Sequence, residues 1–169
     1  MQSGFFRNLG LSSNRKEVID NILAIKKFFK RKSWPVVYTT ITHKSDASTV
    51  GIETRSPWNT EGSSDAEIID ELTPDPDDLV INKLRFSAFF KTSLKGFVEK
   101  NNVTRIYIAG LTAGMCVMNT SLDCYNHDIH SMVVTDAILD DSESNLAFFT
   151  NYFTGKGIGI KTCDLIKCD

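Results

Sequence analysis

The sequence has no stretch of some eighteen consecutive apolar residues, and its start lacks the basic-then-apolar order of a secretion signal. A membrane span is therefore not expected, and the reading is of a soluble, cytoplasmic protein. Charge of one sign is also missing: 19 basic against 21 acidic residues leave a formal charge of −2, which argues against nucleic acid as a partner. The short basic run from Lys26 to Lys32 falls on an amphipathic helix and reads as a solvated face. Histidine is scarce, with three in the chain, and His43 has no neighbouring Asp or second His at ligand spacing, so no metal and no cofactor is expected. His127 and His130 cannot be placed beside a nucleophile, which leaves a papain-like Cys/His pair unsupported. The four cysteines contain no paired CxxC motifs and read as free thiols, with Cys163 and Cys168 near enough in sequence to pair or to help hold a metal. The glycine-rich GKGIG at 155–159 precedes a strand instead of joining strand to helix, so it reads as a loop and not as a phosphate cradle.

What is present is one domain's worth of chain: 169 residues bury a real core but do not make two comfortable ones, so residues 1–169 are read as a single domain. Val18, Ile19, Ile22, Leu23, Ile25, Phe28 and Phe29 recur at three- and four-residue spacing and predict a helix over 14–32, with Asn14 and Glu17 as a capping-box-like start. PVVYTTI at 35–41 predicts a buried strand. Residues 42–64, rich in Ser, Thr, Gly and Asn, read as a long loop carrying Trp58. A short helix is expected over 65–72, a strand over 79–82, a helix over 92–101 and a strand over 104–109. A helix over 115–127, a strand over 131–135, a helix over 141–154 and a last strand over 158–161 complete the order. This alternation predicts an α/β fold with a doubly wound, mostly parallel sheet and helices on both faces. In such sheets ligands bind beyond the carboxyl ends of the strands.

Cys116 lies a few residues after one such strand end, at the first turn of a helix, where free backbone N–H groups and the helix dipole favour a thiolate and an oxyanion. The alternative is a small buried residue packing helix on sheet. Lys83 leaves the strand LVIN at the same edge, where its charge could stabilise negative charge on that thiol; the alternative is a surface lysine ending a strand. GLTAG at 110–114 follows a strand but has the wrong glycine spacing for a dinucleotide turn.

INKLRFSAFFKTSL, IYIAGLTAGMCVMNTSLDCYNHDI and MVVTDA together resemble the core signature of the isochorismatase-like cysteine hydrolases, relatives of nicotinamidases and N-carbamoylsarcosine amidases. The resemblance implies a three-layer fold, hydrolysis of a small-molecule amide, ureido or related C–N bond, and a homo-oligomer. It puts the nucleophile of a Cys/Lys/Asp triad on Cys116 and the lysine on Lys83. It also implies a cis peptide bond at Leu111–Thr112, which with Met115 would frame the oxyanion site. Phe5, Trp58 and Phe89 are the pocket candidates, with core packing the alternative for Phe5 and Phe89.

The chain departs from that pattern in three places. The family's aspartate ends an opening strand in a motif close to D-x-Q-x-x-F; Gln2 and Phe5 fit it, and the aspartate would fall immediately before Met1. The reading is therefore of a domain N-terminally truncated relative to the family, lacking its first strand, with a gap or a substitute segment expected at the sheet centre. Ala113 and Gly114 stand where relatives often carry Thr-Asp, and only His43 matches the metal ligands of nicotinamidases. A catalytically inactive scaffold that binds a metabolite or partner is the alternative function.

Overall fold

The computed structural model describes residues 1–11, 14–44 and 58–167; most of the loop read over 42–64, and Cys168, lie outside them. In chain order the elements are α1 (Ser3–Asn8), α2 (Arg15–Arg31), β1 (Val37–Ile41), β2 (Leu79–Lys83), α3 (Leu94–Lys100) and β3 (Arg105–Leu111). They continue with α4 (Met118–Asn126), β4 (His130–Leu139), α5 (Glu143–Gly155), β5 (Gly159–Ile160) and α6 (Thr162–Lys167).

All strand pairings are parallel, β1 with β2 in one group and β3, β4 and β5 in the other. This is the α/β arrangement expected from the alternation; among the described residues β1 and β3 are not hydrogen-bonded to each other. The register between β3 and β4 slips between Ile108 and Gly110. That irregularity lets β4 continue well past the 131–135 expected of it, because Val133, Val134, Ala137, Ile138 and Leu139 are all buried and keep packing to the strand's end.

The apolar stripe of α2 faces inward as its spacing requires. Ile19 and Ile22 pack with Ile69, Leu72 and Tyr38, while Ile22, Ile25 and Phe29 pack with Val134, Ala137, Leu165 and Tyr107. Asn14 precedes this helix but makes no side-chain cap, whereas Ser142 caps α5 by accepting the Asn145 N–H at 3.2 Å. On the other face a larger core gathers Val98 of α3, Cys124 of α4, Phe153 of α5 and inward residues of β2, β3 and β4.

The helix expected over 65–72 is instead two short 3-10 turns, Ser64–Ala66 and Asp70–Leu72. Extended backbone is required between them, because Ile68 bridges to Gln2 and the Ile69 N–H donates to the Met1 carbonyl. Helices α1 and α6 are each only six residues long, too short for a periodic pattern to reveal. Among the described residues no helix is long and apolar enough to cross a membrane.

Before β2, Asp75, Asp77 and Asp78 form a group of carboxylates close enough to share a cation. Lys26 and Lys30 of α2 already answer it, with Lys26 at 2.9 Å from Asp78 and Lys30 at 2.7 Å from Asp77. Burial works against ionisation of Asp78, but hydrogen bonds from Lys30, Lys26 and the Asp75 N–H outweigh it and hold the carboxyl below its ordinary value. A depressed carboxyl contributes stability that is present above its unfolded pKa and lost as pH falls through the folded one. Asp78→Asn is therefore expected to cost about 1 kcal/mol near neutral pH, the scale of a partly screened pair. The difference from wild type in urea unfolding should shrink as pH falls below about 4.

Candidate active site

Three strand ends meet at one edge. Lys83 is the last residue of β2, Leu111 the last of β3, and Asp140 follows β4 directly. The peptide bond between Leu111 and Thr112 is cis, at the position the resemblance implies. Beyond it, Ala113–Val117 forms a single wide π-helical turn that leads into α4 and carries Cys116. The helix expected from residue 115 thus begins with this wider turn, whose ends are drawn together by the Thr112 carbonyl accepting both the Met115 and Val117 N–H groups at 3.2 Å. The Met115 N–H, an expected oxyanion donor, is spent on that bond.

Lys83 is 3% exposed. Its ammonium donates to the Arg85 carbonyl at 3.0 Å, the Phe86 carbonyl at 2.8 Å and Cys116 Sγ at 3.1 Å. All three of its donors are used, so the charge is held in place against the thiol. The surface-lysine alternative is therefore not what the fold adopts. Cys116 is half-buried and unpaired by any disulfide. The Met1 α-amino group is buried close to both; burial drives its pKa down to about 6, with Cys116 raising it and Lys83 lowering it in smaller measure.

Two ties fix the thiol against the lysine. The Ala88 N–H, in the turn after β2, donates to Thr120 Oγ1 of α4 at 3.1 Å, and Ser87 Oγ donates to Asp123 of the same helix. On the other side Asp140 Oδ2 accepts the Gly114 N–H at 2.7 Å while Oδ1 accepts the Asp141 N–H at 2.8 Å. Burial, aided by neighbouring Asp141 and opposed by those N–H groups, raises the Asp140 pKa. Sequence reading passed over Asp140; its signal was an acidic residue placed directly after a strand of the same sheet edge.

The pocket candidates separate. Phe89 is buried in the main core and lies against the His127 ring at 5.0 Å between centroids, which is the packing alternative. Phe5 meets Trp58 edge-on at 6.5 Å. Neither Phe5, Trp58 nor Phe89 lines the cavity that Cys116 opens on. His43 is buried, and that burial, with the Arg85 charge, holds it below its ordinary pKa and so neutral near pH 7.

The isochorismatase domain matches residues 1–159. The chain belongs to the isochorismatase family. Among its relatives, enterobactin synthase component B of Escherichia coli (strain K12) is 30% identical over 143 residues, covering 83% of this chain and 50% of that protein. The chain thus spans half the length of that relative. A cysteine hydrolase from Pseudomonas syringae pv. phaseolicola superposes with a TM-score of 0.88 over 99% of this chain and 87% of its own, at 18% identity. N-carbamoylsarcosine amidase from Thermoplasma acidophilum gives a TM-score of 0.81 at 24% identity, over 96% of this chain and 92% of its own. At these identities the structural likeness speaks for the fold. The family is hydrolytic, and isochorismatase-like cysteine hydrolases are this isochorismatase-family chain's structural neighbours.

Proposed function

We propose that this isochorismatase-family chain hydrolyses an amide, ureido or related C–N bond of a small molecule, with Cys116 as nucleophile and Lys83 as its charge partner. The observation that carries the reading is the 3.1 Å contact from the buried Lys83 ammonium to Cys116 Sγ. A donated, charge-assisted hydrogen bond stabilises negative charge on sulfur, the form that attacks carbon. Attack on the carbonyl forms a C–S bond and pushes the π electrons onto oxygen. Collapse expels the amine, which takes up a proton as it leaves, and water then cleaves the thioester to acid and free thiol. The likeness to an amidase fold supports the C–N class. A soluble, cytoplasmic homo-oligomer taking a small-molecule substrate belongs to the same reading.

One observation favours a second reading, the inactive scaffold. Among the described residues no carboxylate hydrogen-bonds to Cys116 or Lys83, so no carboxylate is in place there to carry a proton for the pair.

Iodoacetamide alkylation followed by peptide mapping tests the nucleophile, with exposed Cys163 as an internal standard of an ordinary thiol. Cys116 is expected to react about tenfold faster near neutral pH despite its smaller exposure. A rate no greater than that of Cys163 removes the nucleophile assignment. Fast alkylation without release of ammonia or amine from a panel of small amides and carbamoyl compounds selects the scaffold.

A further inference from the structure

We propose that Asp123 is a positioning residue of the site: through Ser87 it sets where the Arg85 and Phe86 carbonyls hold the Lys83 ammonium, and so how that charge meets Cys116. The proposal rests on Cys116 and Lys83 being the reacting pair.

Asp123 hydrogen-bonds to neither of them, and its two carboxylate oxygens are used separately. Oδ2 accepts the Ser87 hydroxyl, and Oδ1 accepts the Asn126 side-chain N–H at 3.1 Å. Chemistry fixes the direction of the first bond. Ser87 Oγ already accepts the Phe89 N–H at 3.1 Å and a carboxylate has no proton to give, so the one hydroxyl proton goes to Asp123. Such a charge-assisted bond is stronger than a neutral one. Ser87 is 8% exposed, so water offers its hydroxyl little alternative.

What the bond anchors is the peptide on which the lysine depends. The Phe86 carbonyl belongs to the same planar unit as the Ser87 N–H, so holding Ser87 orients that carbonyl. It accepts from Lys83 Nζ at 2.8 Å, and the Arg85 carbonyl, one residue back, accepts at 3.0 Å. The third donor of the ammonium reaches Cys116 Sγ at 3.1 Å. An ammonium's three donors keep fixed angles to one another, so moving two acceptors re-aims the third. Cys116 in turn sits in the wide turn that leads into α4, the helix that carries Asp123. The contacts therefore close a ring: from Cys116 along α4 to Asp123, across to Ser87, and back through the two carbonyls and Lys83 to the sulfur.

Other bonds secure the turn beyond Ser87. The Ala88 N–H donates to Thr120 at 3.1 Å, the Ala88 carbonyl accepts the Thr92 hydroxyl at 2.5 Å, and Ala88 and Phe89 are buried in the main core. Loss of Asp123 should therefore leave the fold standing while it loosens the half of the turn that faces Lys83.

The test compares Asp123→Ala, Asp123→Asn, Ser87→Ala and the double alanine variant of the 169-residue protein, each checked for folding by urea unfolding. Two quantities are read: the rate of Cys116 alkylation by iodoacetamide with peptide mapping, and the hydrogen exchange of the Lys83 ammonium by NMR. Cys124 does not intrude, because burial and then the Asp123 charge push its thiol up to about 12. Asp123→Ala is expected to slow alkylation about tenfold, the scale of one lost hydrogen bond, and to speed ammonium exchange by a similar factor. Asp123→Asn should restore most of both, since an amide oxygen still accepts the Ser87 hydroxyl. Ser87→Ala should match Asp123→Ala, with no further loss in the double variant, as coupled partners require. Wild-type alkylation and exchange in folded Asp123→Ala overturns the proposal, as does no recovery in Asp123→Asn or an additive loss in the double variant. If wild-type Cys116 reacts no faster than Cys163, the nucleophile reading falls instead, and the ammonium exchange alone decides the role of Asp123.

Discussion

Lys83→Met should lower the alkylation rate of Cys116 by about two orders of magnitude and take hydrolysis below detection, while leaving the fold intact. The side chains are similar in length and both fill apolar space, so the substitution removes the charge and its three hydrogen bonds without opening a large hole. What disappears is the hydrogen bond to Cys116 Sγ, at 3.1 Å, and with it the stabilisation of negative charge on sulfur. A positioned group of this kind typically contributes on the order of 100- to 10,000-fold. The Arg85 and Phe86 carbonyls, which Lys83 also holds, lose their donor, so a modest fall in stability is expected in addition. Urea unfolding beside iodoacetamide kinetics separates the effects: a variant equally unfolded and unreactive would reveal a structural lysine, and a folded but unreactive one an electrostatic partner.

Gly114→Ala is expected to be the most damaging single methyl addition at the site. A Cβ there would meet the Phe149 ring, with Cζ at 2.8 Å and another ring carbon closer still. Phe149 packs against the main core and lies 6.3 Å from the Phe153 ring, so it cannot swing away freely. The turn must move instead, and that turn carries Cys116 two residues on. Overpacking of this kind costs about 1–3 kcal/mol. The accompanying shift should also break the 2.7 Å bond from the Gly114 N–H to Asp140, reducing Cys116 reactivity by more than the fraction unfolded accounts for. Denaturant unfolding and alkylation measured on the same sample check both parts. The result also gives a physical sense to glycine at 114: an aromatic ring from α5 occupies the space that a side chain there would need.

Much of this was legible in the chain itself, for identifiable reasons. The stripe on α2 and the β-branched runs of β1, β3 and β4 set the order of elements, because burial on one face or two leaves a periodic trace. Lys83 and Cys116 were recognisable by their places just after strands, and the fold brings their side chains into contact. Other features left no such trace. The 3-10 turns around Ile68 depend on Gln2, sixty-six residues away in sequence, and no local pattern encodes that pairing. The π-helical turn at Ala113–Val117 depends on Thr112 and Asp140 acting from opposite sides. Phe89, an aromatic after a strand end, reads alike as pocket or core; only its position beneath His127 decides for the core.

The bridging role of α2 has a consequence for how the molecule comes apart. Among the described residues β1 and β3 are not paired, and no continuous ladder of backbone bonds transmits cooperativity from one to the other. Side-chain packing makes the link instead: on one face α2, whose Ile22 belongs at once to the cluster with Tyr38 of β1 and to the cluster with Val134 of β4, and on the other the main core, where Ile81 of β2 joins Ile108 of β3 and Val133 of β4. These two faces of packing act together as the molecule's clasp: while both hold, the two half-sheets melt as one unit, and once they yield, β1 and β2 are free to unravel ahead of the rest.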